Sequence, residues 1–71
     1  MSQWGSAKAR RVLAALLRIG RTTKRETGGS HRVLDRPGFA DYVFSFHDGE
    51  EIGFRRLARI AKHTGLKAND L

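Results

Sequence analysis

The sequence has no cysteine, a single proline and no long apolar run. Without cysteine, the chain can form neither a disulfide framework nor a zinc site built on thiolates. No stretch approaches the roughly 20 apolar residues that a membrane-spanning helix requires. The first residues also lack the uninterrupted apolar segment of a secretory signal peptide. We therefore expect a cytoplasmic protein that does not contact a membrane.

Residues that could hold a metal ion are sparse. His31, His47 and His63 are too scattered to present metal ligands from one element, so we expect no metal and no other cofactor. Four carboxylates lack a paired arrangement suited to acid–base catalysis: Asp41, Asp48, Glu50 and Glu51. The last two are interpreted as negative charge at the N-terminus of a second helix.

The length of 71 residues limits the chain to one domain. A domain of this size buries only about 60% of the surface that its unfolded chain exposes, so its stability is small. We predict a single domain over residues 1–71, with its core in residues 7–66. There is room for one modest core and one shallow site, which argues against a deep cofactor pocket.

What the chain does contain is positive charge. Fourteen Lys and Arg residues against seven Asp and Glu give a net charge of +7. Such a field attracts polyanions and speeds their encounter with the protein, and nucleic acid is the usual partner. Two other interpretations remain open: a solvated surface that keeps the protein soluble, and an acidic protein partner.

The N-terminal part of the chain predicts a helix. It is expected from Ala7 to Ile19, with Ser6 as its N-cap and Gly20 ending it. Apolar residues recur at steps of three and four and form one stripe: Ala9, Val12, Leu13, Leu16 and Ile19.

Three strands are predicted after this helix. Residues 21–27 contain threonines that favour extended backbone, although neither alternating side of the segment is apolar. His31–Asp35 is the second strand and Asp41–His47 the third. The third places Tyr42, Phe44 and Phe46 on one side and Val43, Ser45 and His47 on the other. Adjacent Val33 and Leu34 must point to opposite faces, and the pattern does not choose the inward one.

A second helix is predicted from Gly53 or Phe54 to Thr64, and Gly65 closes it. The residues expected to face inward are Phe54, Leu57, Ile60, Ala61 and Thr64. Three basic residues form an outward line at helical spacing, suited to RNA backbone: Arg55, Arg59 and Lys62.

The order of these elements predicts an α+β fold. It is a two-layer α-β-β-β-α sandwich, in which a three-stranded antiparallel sheet carries both helices on one face. The segment Leu57–Leu66 also looks like the first half of a helix-turn-helix. A DNA-reading motif needs a recognition helix after the turn, and the residues after Gly65 are too few to form one.

His31 is the strongest candidate for chemistry. It follows Gly28, Gly29 and Ser30, where a glycine turn lets a phosphate approach the backbone closely. Imidazole titrates near neutrality, so it can exchange a proton with an RNA 2′-hydroxyl. Three neighbours supply cations for the phosphate: Lys24, Arg25 and Arg32. The alternative is an ordinary histidine at a strand edge.

The chain resembles the HicA toxin family, also described as YcfA-like. The residues that carry the resemblance are Gly29-Ser30-His31, the Pro37-Gly38 loop, Val43–Phe46 and Leu57–Leu66. With the predicted first helix included, the resemblance spans about residues 8–66, nearly the whole chain. The Gly-Ser-His motif alone is weak evidence for the family. Together with the order of the other motifs, and placed between two predicted helices, it is fairly specific.

The resemblance implies a fold like that of double-stranded RNA-binding domains. It also implies a metal-independent mRNA interferase in which His31 is the catalytic residue. Ser30 and the basic residues named above would contact the RNA. The implied protein partner is a HicB-type antitoxin that masks the active surface.

Three positions depart from the family pattern. The family carries an aromatic residue after the glycine that ends the first helix, and an apolar residue two positions later. Here these positions hold Arg21 and Thr23. The loss of that apolar pair removes about 2–4 kcal/mol of burial, so we expect a frayed first strand, or a marginal fold unless the antitoxin binds. Many relatives also have a second histidine where this chain has Arg32.

The leading hypothesis is therefore a HicA-like endoribonuclease. One rival is a non-catalytic RNA-binding module of the same fold, which would tolerate the loss of His31. The other is a degenerate toxin that only binds its antitoxin.

Overall fold

The computed structural model describes residues 4–28 and 30–71. Its elements, in chain order, are β1 (Ala7–Lys8), α1 (Ala9–Arg18), β2 (Thr22–Thr27), β3 (His31–Arg36), β4 (Phe39–Ser45), β5 (Glu51–Ile52), α2 (Phe54–Thr64) and a short 3₁₀ helix (Ala68–Asp70). The chain is a small α+β protein. Residues 1–3, and Gly29 of the predicted turn, lie outside the described residues.

Strands β2, β3 and β4 form an antiparallel sheet with β3 in the centre. Strand β4 begins and ends two residues earlier than the predicted Asp41–His47, while β3 continues one residue further than predicted. A register shift between Thr23 and Arg25 makes Lys24 an extra residue in β2. Because side chains alternate along each strand, this register fixes which residues share a face.

One face of the sheet carries the core, to which both helices contribute. The sheet buries Leu34 and Phe44 fully, which settles the inward side of β3. The helices and short strands complete the cluster with Ala7, Ala9, Val12, Ala15, Leu16, Ile52, Leu57 and Ile60. Tyr42 and Phe46 lie at its margin, on the side of β4 that the sequence predicts to be inward. Each fully buried Leu, Ile or Phe contributes about 1.5–3 kcal/mol.

Helix α1 begins later than the sequence predicts. Ala7 does not start the helix, and Ser6 is not its N-cap, because Ala7 and Lys8 form β1 and pair with β5. The first N–H groups of the helix are satisfied by a distant loop instead. The backbone N–H of Ala9 donates to the carbonyl of Glu50 at 2.8 Å. This pairing replaces the side-chain cap that a helix start otherwise needs.

The acidic pair that the sequence places at the N-terminus of the second helix precedes α2, whose first turn contains no acidic residue of its own. Glu51 belongs to β5 and lies 3.6 Å from Nζ of Lys8. Glu50 lies 3.5 Å from Nη1 of Arg56. Both carboxylates therefore take part in ion pairs, Glu51 with β1 and Glu50 with the first turn of α2.

Helix α2 has the predicted bounds. Gly65 ends it with φ of 78°, a left-handed conformation that glycine adopts without a steric penalty. The hydroxyl of Thr64 donates to the carbonyl of Ile60 at 2.7 Å, which satisfies this buried polar group. The inward prediction is wrong for Phe54, which is 49% exposed, because Ile52 of β5 takes the core position at this end of the helix.

The core extends beyond residues 7–66 at both ends. Trp4 is buried, and Leu71 packs against the core together with Ala68. Two arginine side chains of α1 form hydrogen bonds with the backbone of the last two residues. Arg11 donates from Nη2 to the carbonyl of Leu71 at 2.8 Å, and Arg18 donates to the carbonyl of Asp70.

Candidate nucleic-acid interface

The sheet face that points away from the helices is open. Its pairing register gives two rows of side chains, Thr27, His31 and Ser45 in one and Arg25, Val33 and Val43 in the next. Val43 on the edge strand β4 is 54% exposed, while Val33 on the central strand is half-buried, so solvent reaches this face of the sheet. Small-molecule sites are concave. An open surface of this kind suits an extended polymer better.

His31 stands at the start of β3 on this open face and is exposed. Just before it, the backbone N–H of Ser30 donates to the carbonyl of Gly28 at 2.8 Å. Ser30 is buried and places its hydroxyl oxygen 3.4 Å from Nδ1 of His31. This contact involves Nδ1 and leaves Nε2 of the exposed ring without a described partner.

The two basic residues of β2 differ in their surroundings. Arg25 is exposed on the same face as His31, and no described carboxylate pairs with it. The two residues are diagonal neighbours across the strand pair, with a backbone separation of about 7–8 Å. Lys24 reaches over β3 to Asp41, with Nζ 3.0 Å from Oδ2. This exposed ion pair is worth about 0–1 kcal/mol, so a phosphate can compete for Lys24 at little cost.

Arg32 lies on the opposite face of the sheet from His31. Its partners across the sheet are Glu26 on β2 and the buried Phe44 on β4. Nε of Arg32 is 2.9 Å from Oε1 of Glu26, and Nη1 is 3.7 Å from Oδ1 of Asp48. The guanidinium therefore connects β2 to the turn after β4, and two carboxylates balance its charge.

Helix α2 presents the third group of predicted RNA-binding residues. Arg55, Arg59 and Lys62 are all exposed. At 100° per residue they lie opposite Leu57 and Ile60, which face the core. No described carboxylate pairs with these three cations. The line points away from the core, as the sequence predicts.

The predicted site residues thus do not form a single cluster. His31, Ser30 and Arg25 meet at the open sheet face, with Lys24 next to them and paired. Arg32 is on the core side of the sheet, and the α2 line is on the far side of the core. Adjacent residues of a strand always point to opposite faces. Once His31 is placed in a strand, the sequence alone therefore predicts that His31 and Arg32 point to opposite faces of the sheet.

A set of residues that the sequence analysis did not single out lies between α2 and β4. The imidazole of His63 stacks on the Tyr42 ring with centroids 6.4 Å apart, and the guanidinium of Arg56 lies 5.9 Å from the centroid of Phe46. Burial raises the pKa of the Tyr42 hydroxyl, while Arg21 and Arg59 act in the opposite direction. No local pattern signals this arrangement, because it depends on the packing of two elements.

Two surface depressions lie away from His31. One, of about 460 Å³, is lined by Phe54 and its neighbours, and the other, of about 590 Å³, lies beside Trp4 and Lys62. Within residues 4–28 and 30–71, no three His, Asp or Glu side chains are close enough together to hold a metal ion. No described helix is long and apolar enough to cross a membrane.

Comparison with known proteins yields no relative. No family model, no curated protein and no solved structure matches the chain. Any function must therefore be argued from the residues and their geometry.

Proposed function

We propose that this protein is a cytoplasmic mRNA interferase, an endoribonuclease that uses His31 as its catalytic residue. The observation that carries the proposal is the exposed His31 ring, held by Ser30 on an open sheet face beside the unpaired Arg25. The net charge of +7 supports it, because a positive field concentrates RNA at the protein surface.

The proposed reaction needs a base, an acid and a cation. Nε2 of His31 accepts the proton of a 2′-hydroxyl, and the 2′-oxygen attacks the adjacent phosphorus. The bond from phosphorus to the 5′-oxygen breaks, which leaves a 2′,3′-cyclic phosphate and a 5′-hydroxyl. The imidazolium returns the proton to the leaving oxygen. Arg25 stabilises the extra charge on the phosphate, and Lys24 joins it when the phosphate displaces Asp41.

We also propose that the protein is a toxin of the HicA type. The order of α1, β2, β3, β4 and α2 agrees with a fold like that of double-stranded RNA-binding domains. A HicB-type antitoxin would cover the His31 face and block access of RNA. The α2 line would bind RNA backbone, without metal or other cofactor.

The test is RNA cleavage by the purified protein, with and without a chelator, and by His31→Ala. Cleavage is expected to survive the chelator and to fall at least about a hundredfold in His31→Ala, the usual loss for a general acid–base residue. His47→Ala is the matched control, because His47 is exposed and lies outside the sheet. A His31→Ala protein that cleaves RNA as fast as the parent would exclude the catalytic role.

A second candidate is a non-catalytic RNA-binding domain, and one observation favours it. Arg32, which stands where many HicA relatives have a second histidine, is turned to the other face of the sheet and paired with Glu26 and Asp48, so it does not act beside His31. A domain of this kind would use His31 and Arg25 only to contact RNA. It would bind RNA with a strong dependence on salt and would leave the RNA intact.

A further inference from the structure

Helix α2 and strand β4 form a strip of aromatic and cationic side chains along one edge of the sheet. We call it the α2–β4 strip, and it consists of Tyr42, Phe46, Arg56, Arg59 and His63. Because β4 is the last strand of the sheet, the strip borders an edge that no described strand covers. Arg56 meets Phe46, and His63 meets Tyr42, so α2 runs antiparallel to β4.

The cations of the strip are accessible, and their charge is nearly unopposed. Arg56, Arg59 and His63 are exposed, while the two aromatic rings are half-buried. Residues 52–69 contain no Asp or Glu. Within the described chain, the ion pair of Arg56 with Glu50 at 3.5 Å is the one ion pair that a strip cation forms.

The rings are arranged for stacking. The planes of Tyr42 and His63 differ by only 22°, with the tyrosine on the core side and the histidine on the solvent side. A planar group that approaches from solvent can continue the stack on His63. Arg59 precedes His63 by four residues and follows Arg56 by three, so all three are neighbours on the surface of α2 and a cation adjoins the stack.

We propose that the α2–β4 strip binds unpaired RNA nucleotides, with one base stacked on His63 and the adjoining phosphates on Arg59 and Arg56. Unpaired bases expose the faces that aromatic side chains recognise, whereas a duplex covers both faces of each base. The inference rests on the proposed function and specifies the form of RNA that the protein takes. The strip is separate from the His31 face.

The test measures binding of a labelled, mixed-sequence single-stranded RNA and of a duplex of the same sequence by fluorescence anisotropy. All proteins carry His31→Ala so that the RNA stays intact. The single strand is expected to bind more tightly. Adding His63→Ala should weaken its binding about fivefold or more, the effect of losing one stacked base. His63→Phe should restore the affinity, because it keeps a planar ring.

Adding Arg59→Ala should weaken binding and reduce the dependence of log affinity on log salt by about 0.7, the contribution of one phosphate contact to a single strand. The matched control is Arg10→Ala, which removes an exposed cation of α1 that has no acidic partner among the described residues. Arg10→Ala is expected to change affinity much less than Arg59→Ala.

Equal affinity for duplex and single strand would overturn the inference, as would unchanged binding by His63→Ala. If the parent protein cleaves RNA and loses this activity in His31→Ala while the strip variants bind normally, only the strip fails. If the strip variants lose binding but the parent protein never cleaves RNA, the result supports RNA binding by the strip and overturns the proposed ribonuclease activity. Absence of any RNA binding would overturn both.

Discussion

Arg21 is a charged side chain inside the core of a very small domain. It is 1% exposed, and its Nη1 donates to the carbonyls of Leu34 and Ala40 at 3.3 and 3.2 Å. Its Nε and Nη2 are buried without a hydrogen-bond partner among the described residues. Burial of a charge without a carboxylate is costly, and an apolar side chain of similar volume is often better tolerated.

Replacing Arg21 with Met should therefore stabilise the fold. We expect a gain of about 1 kcal/mol, which would raise the midpoint of thermal unfolding by roughly 4–8 °C for a domain of this size. Arg36→Met is the matched control. The guanidinium of Arg36 lies 4.2 Å from the exposed Phe39 ring, so its loss should lower stability slightly. A lower unfolding midpoint for Arg21→Met would contradict the prediction.

The burial of Arg21 marks a limit of prediction from sequence at the residue scale. An arginine after a helix is expected outside, and only the packed structure reveals that this side chain lies in the core. The side chain of His31 is a contrasting case. Its exposure at the turn into β3 agrees with the sequence, since glycine turns and strand starts are local features.

Strand β2 is the element with the least support from packing. It pairs with β3 along its length, yet none of its six residues is buried. Thr23 lies opposite the buried Leu34 and adds little apolar contact to it. The sequence predicts a frayed strand at this place. In the structure the backbone of β2 is paired with β3, but its side chains bury no apolar surface that would stabilise the pairing.

The backbone amides of β2 that bond to β3 should exchange with solvent faster than the amides of β3 that bond to β4, because opening the edge strand exposes almost no apolar surface. Thr23→Val should slow this exchange, since a cross-strand apolar pair with Leu34 contributes about 0.2–1 kcal/mol. Hydrogen exchange followed by NMR measures both effects. Thr27→Val, on the open face opposite His31, serves as the control. Equal protection of β2 and β3 in the parent protein would refute the expectation.

The elements differ in how far the sequence predicts them, for a physical reason. Helix α2 has its predicted bounds because periodicity and the terminal Gly65 are local signals. Strands β1 and β5 were missed because two residues carry no pattern, and their pairing depends on the return of the chain after β4. Because Ala7 and Lys8 take part in this pairing, α1 begins at Ala9 and not at the predicted Ala7.

At the scale of the whole molecule, the two ends of the described chain belong to the core. Trp4 is 9% exposed at one end, and Leu71 packs on the same cluster at the other. Arg11 and Arg18 of α1 attach the final residues by hydrogen bonds to backbone carbonyls. The predicted core ends at Leu66 and therefore does not include the contacts of Ala68 and Leu71.

Ending the chain after Leu66 should lower the free energy of unfolding by about 1–2 kcal/mol, because Ala68 and Leu71 lose their apolar contacts. Urea denaturation followed by Trp4 fluorescence measures the change. Asn69→Ala alters an exposed residue of the same segment and should leave stability within about 0.5 kcal/mol of the parent. If the shortened chain is as stable as the parent, the last residues do not contribute to the core.

The His31 face and the line of Arg55, Arg59 and Lys62 point away from each other across a body whose shortest Cα dimension is 16 Å. A protein bound to the sheet would leave the helix uncovered, so the two sites do not compete for space. If RNA binds at both places as proposed, the domain is bivalent. A transcript held on α2 would stay at high effective concentration near the sheet, and an inhibitor on the sheet could stop chemistry without releasing that transcript.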